Sequence, residues 1–321
     1  MKALVTGATG FIGSNLVREL VAKGYEVACL ARKTSDLRCL EGFDVKILHA
    51  DCTDKASLLR LSGKFSHVFH LAGLTKAGKE SDFHAVNALG TENLLSALSA
   101  KTSYLNRFVY LSSLAAAGPS CEGMPLDETA EPKPVSAYGL SKLGGEKAAV
   151  DWKDRIPVSI IRPPAVYGPR DRDFYLFFRM VKKGFYPYWG KCYYSLLYVD
   201  DLVKGIITAA ESKKAEGGIY FLSDGGIHSN DEIVSEITRA METRAFRLRI
   251  PAQALDLLGR ISEKLVRGAS IINSDKLKEI RHSHWTCSSQ KAGTELGFVP
   301  KVTLREGIKW TADWYKIHRW I

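Results

Sequence analysis

The first half of the chain alternates short apolar runs with longer amphipathic stretches. The apolar runs have the length of strands, whereas the amphipathic stretches repeat their apolar residues with helical spacing. The runs predict strands at 2–6, 26–30, 45–49, 67–71, 107–112 and 157–161, and the stretches predict helices near 12–23, 55–62, 83–100 and 138–153. Such alternation predicts a doubly wound α/β fold, in which a parallel sheet has helices on both faces.

The pattern changes after the segment RPPAVYGPRDRD at 162–173, where aromatic residues increase and Gly and Pro interrupt the helices. We therefore expect a main domain at 1–165 and a smaller, discontinuous lobe at 166–321. The run GIYFLSD at 218–224 is expected to return one strand to the main sheet. The segment 229–232, Ser-Asn-Asp-Glu, has the spacing of a capping box and predicts the start of a helix.

Composition limits the class of protein. The 321 residues are 45% apolar, which accommodates a large α/β domain or two unequal lobes. The 6 cysteines lack the spacing of a zinc site, so we expect reduced thiols, no metal and a cytoplasmic protein. The net charge of +10 favours anionic partners, but no nucleic-acid motif accompanies it, so nucleic-acid binding is not expected. No apolar run is long enough for a transmembrane segment, and the strand at 2–6 leaves no room for a signal peptide.

A glycine-rich segment, TGATGFIG at 6–13, lies between the first predicted strand and the first predicted helix. A helix N-terminus offers unpaired backbone N–H groups and a partial positive charge, so a pyrophosphate binds there readily. Gly7 suits the tight turn, Gly10 lets the backbone approach phosphate, and Gly13 lets helix and strand pack closely. In this context the segment predicts a dinucleotide-binding loop.

The end of the second predicted strand bears on the choice of dinucleotide. An acidic residue there accepts from the ribose 2′-hydroxyl of NAD, whereas arginine favours the 2′-phosphate of NADP. Here Ala31 holds the acidic position, and Arg32 and Lys33 follow it. Since a guanidinium binds phosphate in bidentate fashion, the sequence favours NADP(H). NAD(H) stays open as the alternative, with Arg32 and Lys33 as solvated surface residues.

Tyr138 and Lys142 are four residues apart in YGLSK, so a helix places both side chains on one face. A free tyrosine has a pKa of about 10, and a neighbouring ammonium stabilises its phenolate. We therefore expect Lys142 to lower the pKa of Tyr138 and make it a usable acid or base. Upstream, YLSS at 110–113 ends a strand at the carboxyl edge of the sheet, where open α/β sheets bind ligands. A serine there can hydrogen-bond a substrate oxygen beside the tyrosine.

Taken in order, these segments resemble an extended short-chain dehydrogenase/reductase of the epimerase/dehydratase superfamily, along nearly the whole chain. The matching segments are TGATGFIG (6–13), Asp51 after the third strand, HLAG (70–73), VNALGTENLL (86–95), LSS (111–113), YGLSK (138–142), RPPAVYGP (162–169) and YVDDL (198–202). The resemblance implies a Rossmann fold, with an NAD(P)-binding domain at 1–165 and a mainly substrate-binding lobe at 166–321.

The resemblance also implies roles for particular residues. Hydride transfer would use Ser113, Tyr138 and Lys142 as the catalytic triad, and Asn87 would order the helix beside the site. Ser113 is the serine that fits, because it lies five residues before Gly118, which matches a family glycine. The residues expected to contact the dinucleotide are Gly7, Thr9, Gly10, Phe11, Ile12, Gly13, Arg32, Lys33, Asp51, Cys52, Leu71, Ala72, Gly73, Leu111, Tyr138, Lys142, Pro163, Ala165 and Val166.

Five polar residues have simpler interpretations as well. Asn87 can tie a helix to a strand, and Asp51 can cap the helix that follows it. Asp200 and Asp201 are interpreted as structural caps rather than as chemical groups. His70, at a strand end, is interpreted as a packed or hydrogen-bonded histidine rather than a base.

Departures from the sugar-nucleotide branch of the family narrow the reaction. Sugar-nucleotide 4,6-dehydratases carry an Asp-Glu pair where this chain has Leu114 and Ala115, so the acid and base needed to expel water are absent. Many sugar-nucleotide epimerases have an asparagine where this chain reads Pro-Pro-Ala at 163–165. The chain looks nearer to dihydroflavonol reductases and 3β-hydroxysteroid dehydrogenases, whose substrates are apolar ring systems. We expect hydride transfer between nicotinamide and a ketone or secondary alcohol on an apolar or mixed-polarity substrate.

An aromatic-rich span agrees with an apolar substrate, although its residues can equally form the core of the lobe. These residues are Phe174, Tyr175, Phe177, Phe178, Phe185, Tyr186, Tyr188 and Trp189. Arg170 and Arg172 can meet a diphosphate, so the alternative function is a nucleotide-sugar 4-epimerase with tightly bound NAD. A third alternative, a nicotinamide-sensing regulator without chemistry, is disfavoured by the serine–tyrosine–lysine set.

Three expectations concern partners. The principal partner is a small-molecule substrate. The family often dimerises by pairing two helices from each subunit, here 83–100 and 138–153, so we expect a homodimer. The amphipathic stretch LDLLGRISEKLV at 255–266 fits a packed helix of the lobe better than a peripheral membrane contact.

Overall fold

The computed structural model describes residues 1–99, 104–251 and 274–321. Strands and helices alternate through the first half of the chain. The strands are β1 (Lys2–Thr6), β2 (Glu26–Ala31), β3 (Val45–His49), β4 (His67–His70), β5 (Arg107–Leu111), β6 (Val158–Arg162), β7 (Ala165–Tyr167), β8 (Phe185–Tyr188), β9 (Tyr193–Tyr194), β10 (Leu196–Tyr198), β11 (Ile219–Phe221), β12 (His228–Ser229), β13 (Phe246–Arg249) and β14 (His284–Trp285).

The helices vary from single turns to four turns. They are α1 (Phe11–Ala22), α2 (Lys55–Leu59), α3 (Glu80–Phe83), α4 (Gly90–Leu98), α5 (Leu114–Ala117), α6 (Ala137–Asp151), α7 (Arg172–Lys182), α8 (Val199–Glu211), α9 (Asn230–Met241), α10 (Ser274–Ile280), α11 (Gln290–Leu296) and α12 (Leu304–Ile317). A π-helical segment, His84–Leu89, joins α3 to α4, and short 3₁₀ turns occur at Arg38–Leu40 and Lys213–Ala215.

The central sheet has seven parallel strands in the order β11-β6-β5-β4-β1-β2-β3. Apart from the added edge strand β11, this is the order of the Rossmann fold, which confirms the predicted fold class. The run at 218–224 contributes β11, whose Tyr220 is in register with Ile161 of β6. The order reverses between β1 and β4, so the loops after these strands border the crevice where doubly wound folds bind ligands.

The central strands are apolar along their length because both faces of the sheet are covered by helices. On one face Leu16, Phe69 and Ile206 belong to a fully buried cluster. On the other face Leu94 and Phe108 belong to a second cluster. Burial on both sides holds the strand ends rigidly, so the loops at the carboxyl edge start from fixed positions.

The second half of the chain builds a separate apolar core from small sheets and helices. Phe178 is fully buried there, and Tyr186 is 5% exposed. The other aromatics of the span that belong to this core are Phe174, Tyr175, Phe177 and Tyr188. Most residues of the aromatic-rich span therefore belong to the core of the lobe, so the span no longer supports an apolar substrate. The capping box predicted at 229–232 is present and starts α9.

Two helix predictions differ from the structure, and a third is not tested by it. The predicted helix at 83–100 is interrupted by the π-helical segment, where the Thr91 hydroxyl donates to the carbonyl of Asn87 at 2.7 Å. The predicted helix at 55–62 ends at Leu59. The amphipathic stretch at 255–266 lies outside the described residues. Within the described part of the chain, no helix combines the length and the apolar character that a bilayer crossing needs.

Candidate active site

The glycine loop between β1 and α1 has a backbone path that only glycine permits at two positions. Gly7 has φ of +67°, and a Cβ there would lie 2.7 Å from the backbone nitrogen of Ala72. A Cβ on Gly13 would lie 2.1 Å from the carbonyl oxygen of Gly7. The first turn of α1 therefore packs directly on the end of β1, as the motif predicts.

The N-terminus of α1 is suited to an anion. Gly10 is the N-cap and supplies no side-chain cap, and no acidic residue follows in the first turn. The first backbone N–H groups of the helix are thus open to a ligand, and the helix dipole adds positive potential. Phe11 and Ile12 pack half-buried against the core, and the carbonyl of Thr9 accepts from Cys39 Sγ at 3.4 Å. A dinucleotide pyrophosphate fits this terminus.

Arg32 and Lys33 follow β2 at the same edge of the sheet, and both are exposed. Neither side chain forms an ion pair or side-chain hydrogen bond with the part of the chain that the structure describes. A nearby carboxylate, Asp36, is bound by Arg38, which lowers the pKa of Asp36 to about 2. The loop therefore presents two unengaged cations, while its acidic group is already paired.

The two serines after β5 have different surroundings. Ser112 is buried, and its hydroxyl donates to Glu146 Oε1 at 2.5 Å. Ser113 is the N-cap of α5, where its Oγ accepts from the backbone N–H of Ala115 at 3.1 Å. The Ser113 side chain also lies close enough to the phenol of Tyr138 to lower its pKa. The structure thus brings Ser113, and not Ser112, to the tyrosine.

Lys142 is buried one turn after Tyr138 on α6. Its Nζ donates to the carbonyl of Leu111 at 2.6 Å and lies 4.9 Å from the centre of the Tyr110 ring. A Cβ on Gly73 would lie 3.4 Å from the same nitrogen. Burial lowers the pKa of Lys142 to about 8, although Glu146 acts in the opposite direction.

The expected effect of Lys142 on Tyr138 is wrong for this structure. Burial raises the pKa of Tyr138 to about 12, the nearby Ser113 side chain lowers it, and Glu279 raises it further. Lys142 is not among these groups, and its ammonium donates to the Leu111 carbonyl. At neutral pH the phenol is therefore protonated.

Asn87 uses its whole amide group for structural bonds. Its Oδ1 accepts from Leu74 N at 2.7 Å, and its Nδ2 donates to Leu74 O at 3.0 Å and to Ser141 Oγ at 2.8 Å. These bonds join the loop after β4 to the helix that carries Tyr138. The simpler interpretation of Asn87, a tie between elements, describes what its side chain does here.

His70 is a packed histidine, as its simpler interpretation holds. Its two ring nitrogens are 2.7 Å and 3.0 Å from the hydroxyls of Thr6 and Thr91. Burial, followed by the charge of Lys142, lowers the pKa of His70 to about 3. The ring is therefore neutral at physiological pH and is not placed as a base.

The aspartates have structural partners. Asp51 accepts from the backbone and the hydroxyl of Thr53, at 2.9 and 2.8 Å, whereas the N-cap of α2 is Asp54. The interpretation of Asp51 as the helix cap is therefore wrong, because a three-residue turn intervenes. Asp201 accepts from two backbone N–H groups near the start of α12, at 2.8 Å each, and Asp200 pairs with Arg18.

Other predicted cofactor contacts line the crevice. The backbone N–H groups of Leu71 and Ala72 donate to Thr6, at 3.2 and 3.1 Å, so the loop after β4 lies against the end of β1. On the far side, the Pro163 carbonyl accepts from Leu114 N at 2.8 Å. Of three others, Cys52 is buried and its carbonyl accepts from Asn93 Nδ2 at 3.0 Å, whereas Ala165 is exposed and Val166 half-buried on β7.

Arg170 is bound to α1. Its backbone is left-handed, with φ of +73°, and its guanidinium donates to Asn15 Oδ1 at 2.9 Å. Arg172 is exposed and borders an open basin of about 600 Å³ together with Lys76 and Arg319. Of the two arginines expected to meet a diphosphate, Arg172 is therefore the more exposed one.

Sequence reasoning missed two groups at the site. Glu146 of α6 forms a bidentate ion pair with Arg162, at 2.8 and 2.6 Å, and both side chains are 3% exposed. A signal existed, because Arg162 ends an otherwise apolar strand. Asp275 and Glu279 of α10 contact the start of α6, and the sequence contains no local signal for that contact.

The arrangement can polarise and protonate a substrate oxygen beside a bound dinucleotide. Ser113 and a protonated Tyr138 supply two hydroxyls at the carboxyl edge of the sheet. Lys142 places an ammonium between the ends of β4 and β5. The reactions of known proteins with similar sequences are therefore relevant to this site.

A sequence model of the NAD dependent epimerase/dehydratase family matches residues 3–222. A UDP-glucose 4-epimerase of Vibrio cholerae is 31% identical, over 97% of this chain and 94% of that protein. A ceramide reductase of Caulobacter vibrioides is 28% identical, over 99% of this chain and 95% of that protein. The crystal structure of the Thermus thermophilus UDP-glucose 4-epimerase in complex with NAD has a TM-score of 0.79 and 26% identity, covering 98% of this chain and 99% of that one.

These relatives are epimerases and reductases of extended short-chain dehydrogenase type, as the motifs predict. The family match covers more than half of the chain, including the glycine loop and the segments of Ser113, Tyr138 and Lys142. The chain therefore belongs to the NAD dependent epimerase/dehydratase family of enzymes, whose fold binds a nicotinamide dinucleotide.

Proposed function

We propose that the protein is an NADP(H)-dependent oxidoreductase that interconverts a ketone and a secondary alcohol on an apolar or mixed-polarity substrate. The observation that carries the proposal is that the Ser113 side chain lies near the Tyr138 phenol at the carboxyl edge of the sheet, with Lys142 one turn further along the same helix. Two hydroxyls in this arrangement can hold and protonate a carbonyl oxygen. The bound dinucleotide supplies or accepts the hydride.

Each residue of the set has a distinct part in the proposed reduction. Tyr138 donates its proton to the ketone oxygen, since its phenol is protonated at neutral pH. Ser113 hydrogen-bonds the same oxygen and orients it. Lys142, beside Gly73 and the Leu111 carbonyl, is placed to bind a ribose hydroxyl of the dinucleotide. Asn87 keeps the Gly73 loop against the helix of Tyr138 and Lys142.

The surroundings of the hydroxyls disfavour dehydration and favour an apolar substrate. Leu114 and Ala115 are buried where a dehydratase needs an acid and a base. The Phe83 ring approaches Tyr138 edge-on, with centroids 6.0 Å apart. On the other side of the hydroxyls, Pro163 is buried, and its side chain has no hydrogen-bonding group. The similarity to a ceramide reductase is consistent with a lipid-like ketone.

The proposal includes NADP(H) because of the loop after β2. Arg32 and Lys33 are exposed and unengaged by the described residues, so both can meet a 2′-phosphate. The carboxylate nearest in sequence, Asp36, is already bound to Arg38 and is a poor acceptor for a ribose hydroxyl.

A nucleotide-sugar 4-epimerase with tightly bound NAD is the second candidate. The similarity to the Vibrio cholerae epimerase supports it. The basin bordered by Arg172 and Arg319 also supports it, because cations suit a diphosphate, although Asp173 borders the same basin and pairs with Lys76. Two observations weigh against it. The segment 163–165 lacks the asparagine that many sugar-nucleotide epimerases have, and the Arg170 guanidinium already donates to Asn15.

We also propose a homodimer that pairs the helical region after α3 with α6. Leu89, Leu140 and Val150 are 50%, 59% and 40% exposed there, which is unusual for large apolar side chains on helices of a monomer. Within each subunit, we assign 1–165 to the cofactor domain and 166–321 mainly to the substrate lobe. Light scattering should report a dimer, and Leu140→Lys with Val150→Lys should report a monomer.

The function is tested by mixing purified protein and NADPH with long-chain ketones and, separately, with UDP-glucose. We expect NADPH consumption with at least one ketone, and none in the Tyr138→Phe variant. Epimerised UDP-glucose without net NADPH consumption, together with nicotinamide that cannot be exchanged from the purified protein, would establish the second candidate instead.

A further inference from the structure

The catalytic helix α6 is capped by a segment from the opposite end of the chain. Asp275 of α10 accepts from the backbone N–H of Ala137 at 2.6 Å and from that of Tyr138 at 3.0 Å. Each bond joins positions more than 130 residues apart in the sequence. The backbone of the proposed proton donor is therefore held by a carboxylate of α10.

A second carboxylate of α10 completes the cap. Ser136, the N-cap residue, accepts from Gly139 N at 3.0 Å and donates to Glu279 Oε1 at 2.8 Å. Asp275 and Ser136 thus satisfy the first three N–H groups of α6, which an isolated helix leaves open. The first turn of α6 contains no acidic residue of its own. Negative charge at this end of the helix comes from α10, where the helix dipole favours it.

The charge of these carboxylates is only partly neutralised. Asp275 and Glu279 are 6% and 8% exposed. Their lysine partners are Lys276, 2.6 Å from Glu279, and Lys278, 3.6 Å from Asp275. Both lysine side chains are about half exposed to water, so their attraction is screened. Lys278 is also shared with Glu80 of α3, at 2.8 Å.

The groups facing Tyr138 come from several elements. Ser113, after β5, lies near the phenol and favours its ionised form. Phe83, on α3, contributes an apolar edge, and Glu279, on α10, contributes the negative charge that disfavours ionisation. Lys142, on the same helix, donates to the Leu111 carbonyl. Among these neighbours Glu279 is the group whose charge opposes loss of the phenol proton.

We propose that Asp275 and Glu279 are positioning residues for Tyr138, Asp275 through the backbone of the first turn of α6 and Glu279 through its bond to Ser136 and its charge at that turn. The inference rests on the proposed role of Tyr138 as proton donor. It assigns α10 a part in the reaction rather than a part in packing alone. Asp275 fixes where the first turn of α6 stands, and the charge of Glu279 disfavours the phenolate.

Two substitutions at Glu279 separate its charge from its bond. Glu279→Gln keeps an oxygen that can accept from Ser136 and removes the charge, whereas Glu279→Asp keeps the charge and shortens the reach to Ser136. The probe is 3-nitrotyrosine introduced at position 138, whose visible absorbance distinguishes this phenol from the other tyrosines and whose ionisation occurs near neutral pH. The full-length protein is titrated without substrate.

We expect Glu279→Gln to lower the pH midpoint of the probe by about one unit and Glu279→Asp to leave it near the parent value. Glu80→Gln, which removes a carboxylate that shares Lys278 but does not face Tyr138, should also leave it unchanged. An unchanged midpoint in Glu279→Gln, or equal shifts in Glu279→Gln and Glu279→Asp, would overturn the role of the charge.

The role of Asp275 is tested with Asp275→Asn in the protein with its natural tyrosine. Ketone turnover should fall roughly tenfold in kcat while NADPH affinity stays unchanged, because the phenol loses its fixed position but the glycine loop is intact. Equal loss of NADPH affinity and kcat would contradict positioning. The titration needs no turnover, so a failure to reduce any ketone sinks the proposed function and leaves the test of Glu279 valid.

Discussion

The N-termini of α1 and α6 lie at the same edge of the sheet and are built in opposite ways. At α1, glycine is the N-cap and no acidic side chain approaches the first turn. At α6, Ser136 and Asp275 accept from the first three backbone N–H groups. An open terminus with positive potential binds an anionic ligand, whereas a fully capped one holds its own residues in place.

The comparison shows how one fold separates binding from catalysis. The ligand itself would accept from the first backbone N–H groups of α1, so these groups gain an acceptor when a dinucleotide binds. The protein satisfies α6 with its own carboxylates, and Tyr138 is the second residue of that helix. Three kinds of substitution test this division. One removes the Tyr138 hydroxyl at the α6 terminus, one blocks the close approach of α1 to β1, and one gives α1 a carboxylate cap like that of α6.

The largest effect is expected from Tyr138→Phe, which leaves the capped terminus without its functional hydroxyl. Turnover of a ketone substrate should fall by roughly 10²- to 10⁴-fold, because the variant lacks the phenolic proton of the proposed donor. NADPH affinity should remain within about twofold, since the α1 terminus is untouched. Steady-state rates and fluorescence titration of NADPH measure the two quantities. Equal activity in wild type and variant would remove the tyrosine from the mechanism.

The next effect is expected from Gly13→Ala, which closes the approach of α1 to β1. The added Cβ would lie 2.1 Å from the Gly7 carbonyl, so the loop must move. We expect a loss of about 1–3 kcal/mol in stability and at least a tenfold loss of NADPH affinity. Gly78→Ala is the matched control, because nothing lies within 4 Å of a Cβ there. Thermal unfolding and NADPH titration test both variants.

Gly10→Asp would give α1 the kind of cap that α6 has. The aspartate should stabilise the helix by about 0.5–1 kcal/mol, because it accepts from the first turn and complements the dipole. The same carboxylate should weaken NADPH binding about tenfold, since it takes the place of the pyrophosphate. Gly10→Ala carries the same Cβ without charge and serves as the control. Tighter NADPH binding in Gly10→Asp would be incompatible with an anion site at this terminus.

The smallest effect is expected from Arg32→Ala, because it touches only the far end of the dinucleotide. NADPH affinity should fall several-fold to tenfold, and NADH affinity should change little. Paired titrations of both nucleotides against wild type and variant give the ratio. Equal losses for NADPH and NADH would mean that Arg32 does not read the 2′-phosphate.

Much of the fold could be predicted because its signals are local. The first six strands of the central sheet, β1 to β6, begin and end within one residue of the prediction, since their runs are mostly apolar. The run at 218–224 is longer than β11, which ends at Phe221. The glycine loop is equally local, because turn, helix start and close packing are encoded within eight residues. Local signals of this kind account for the confirmed fold class.

The remaining differences arise from tertiary contacts. Hydropathy does not separate a core aromatic such as Phe178 from a pocket aromatic, because both bury apolar surface. Helical spacing placed Lys142 beside Tyr138, but only the structure reveals that the Leu111 carbonyl accepts its hydrogen bond. The contact of Asp275 with α6 depends on chain segments that are distant in sequence. Such pairings follow from the fold and not from local pattern.

A crystal structure of the protein with NADPH tests the central claim most directly. The account predicts the pyrophosphate within hydrogen-bond distance of the first N–H groups of α1, and the nicotinamide beside the hydroxyls of Ser113 and Tyr138. A pyrophosphate bound elsewhere, or a nicotinamide directed away from those hydroxyls, would contradict it.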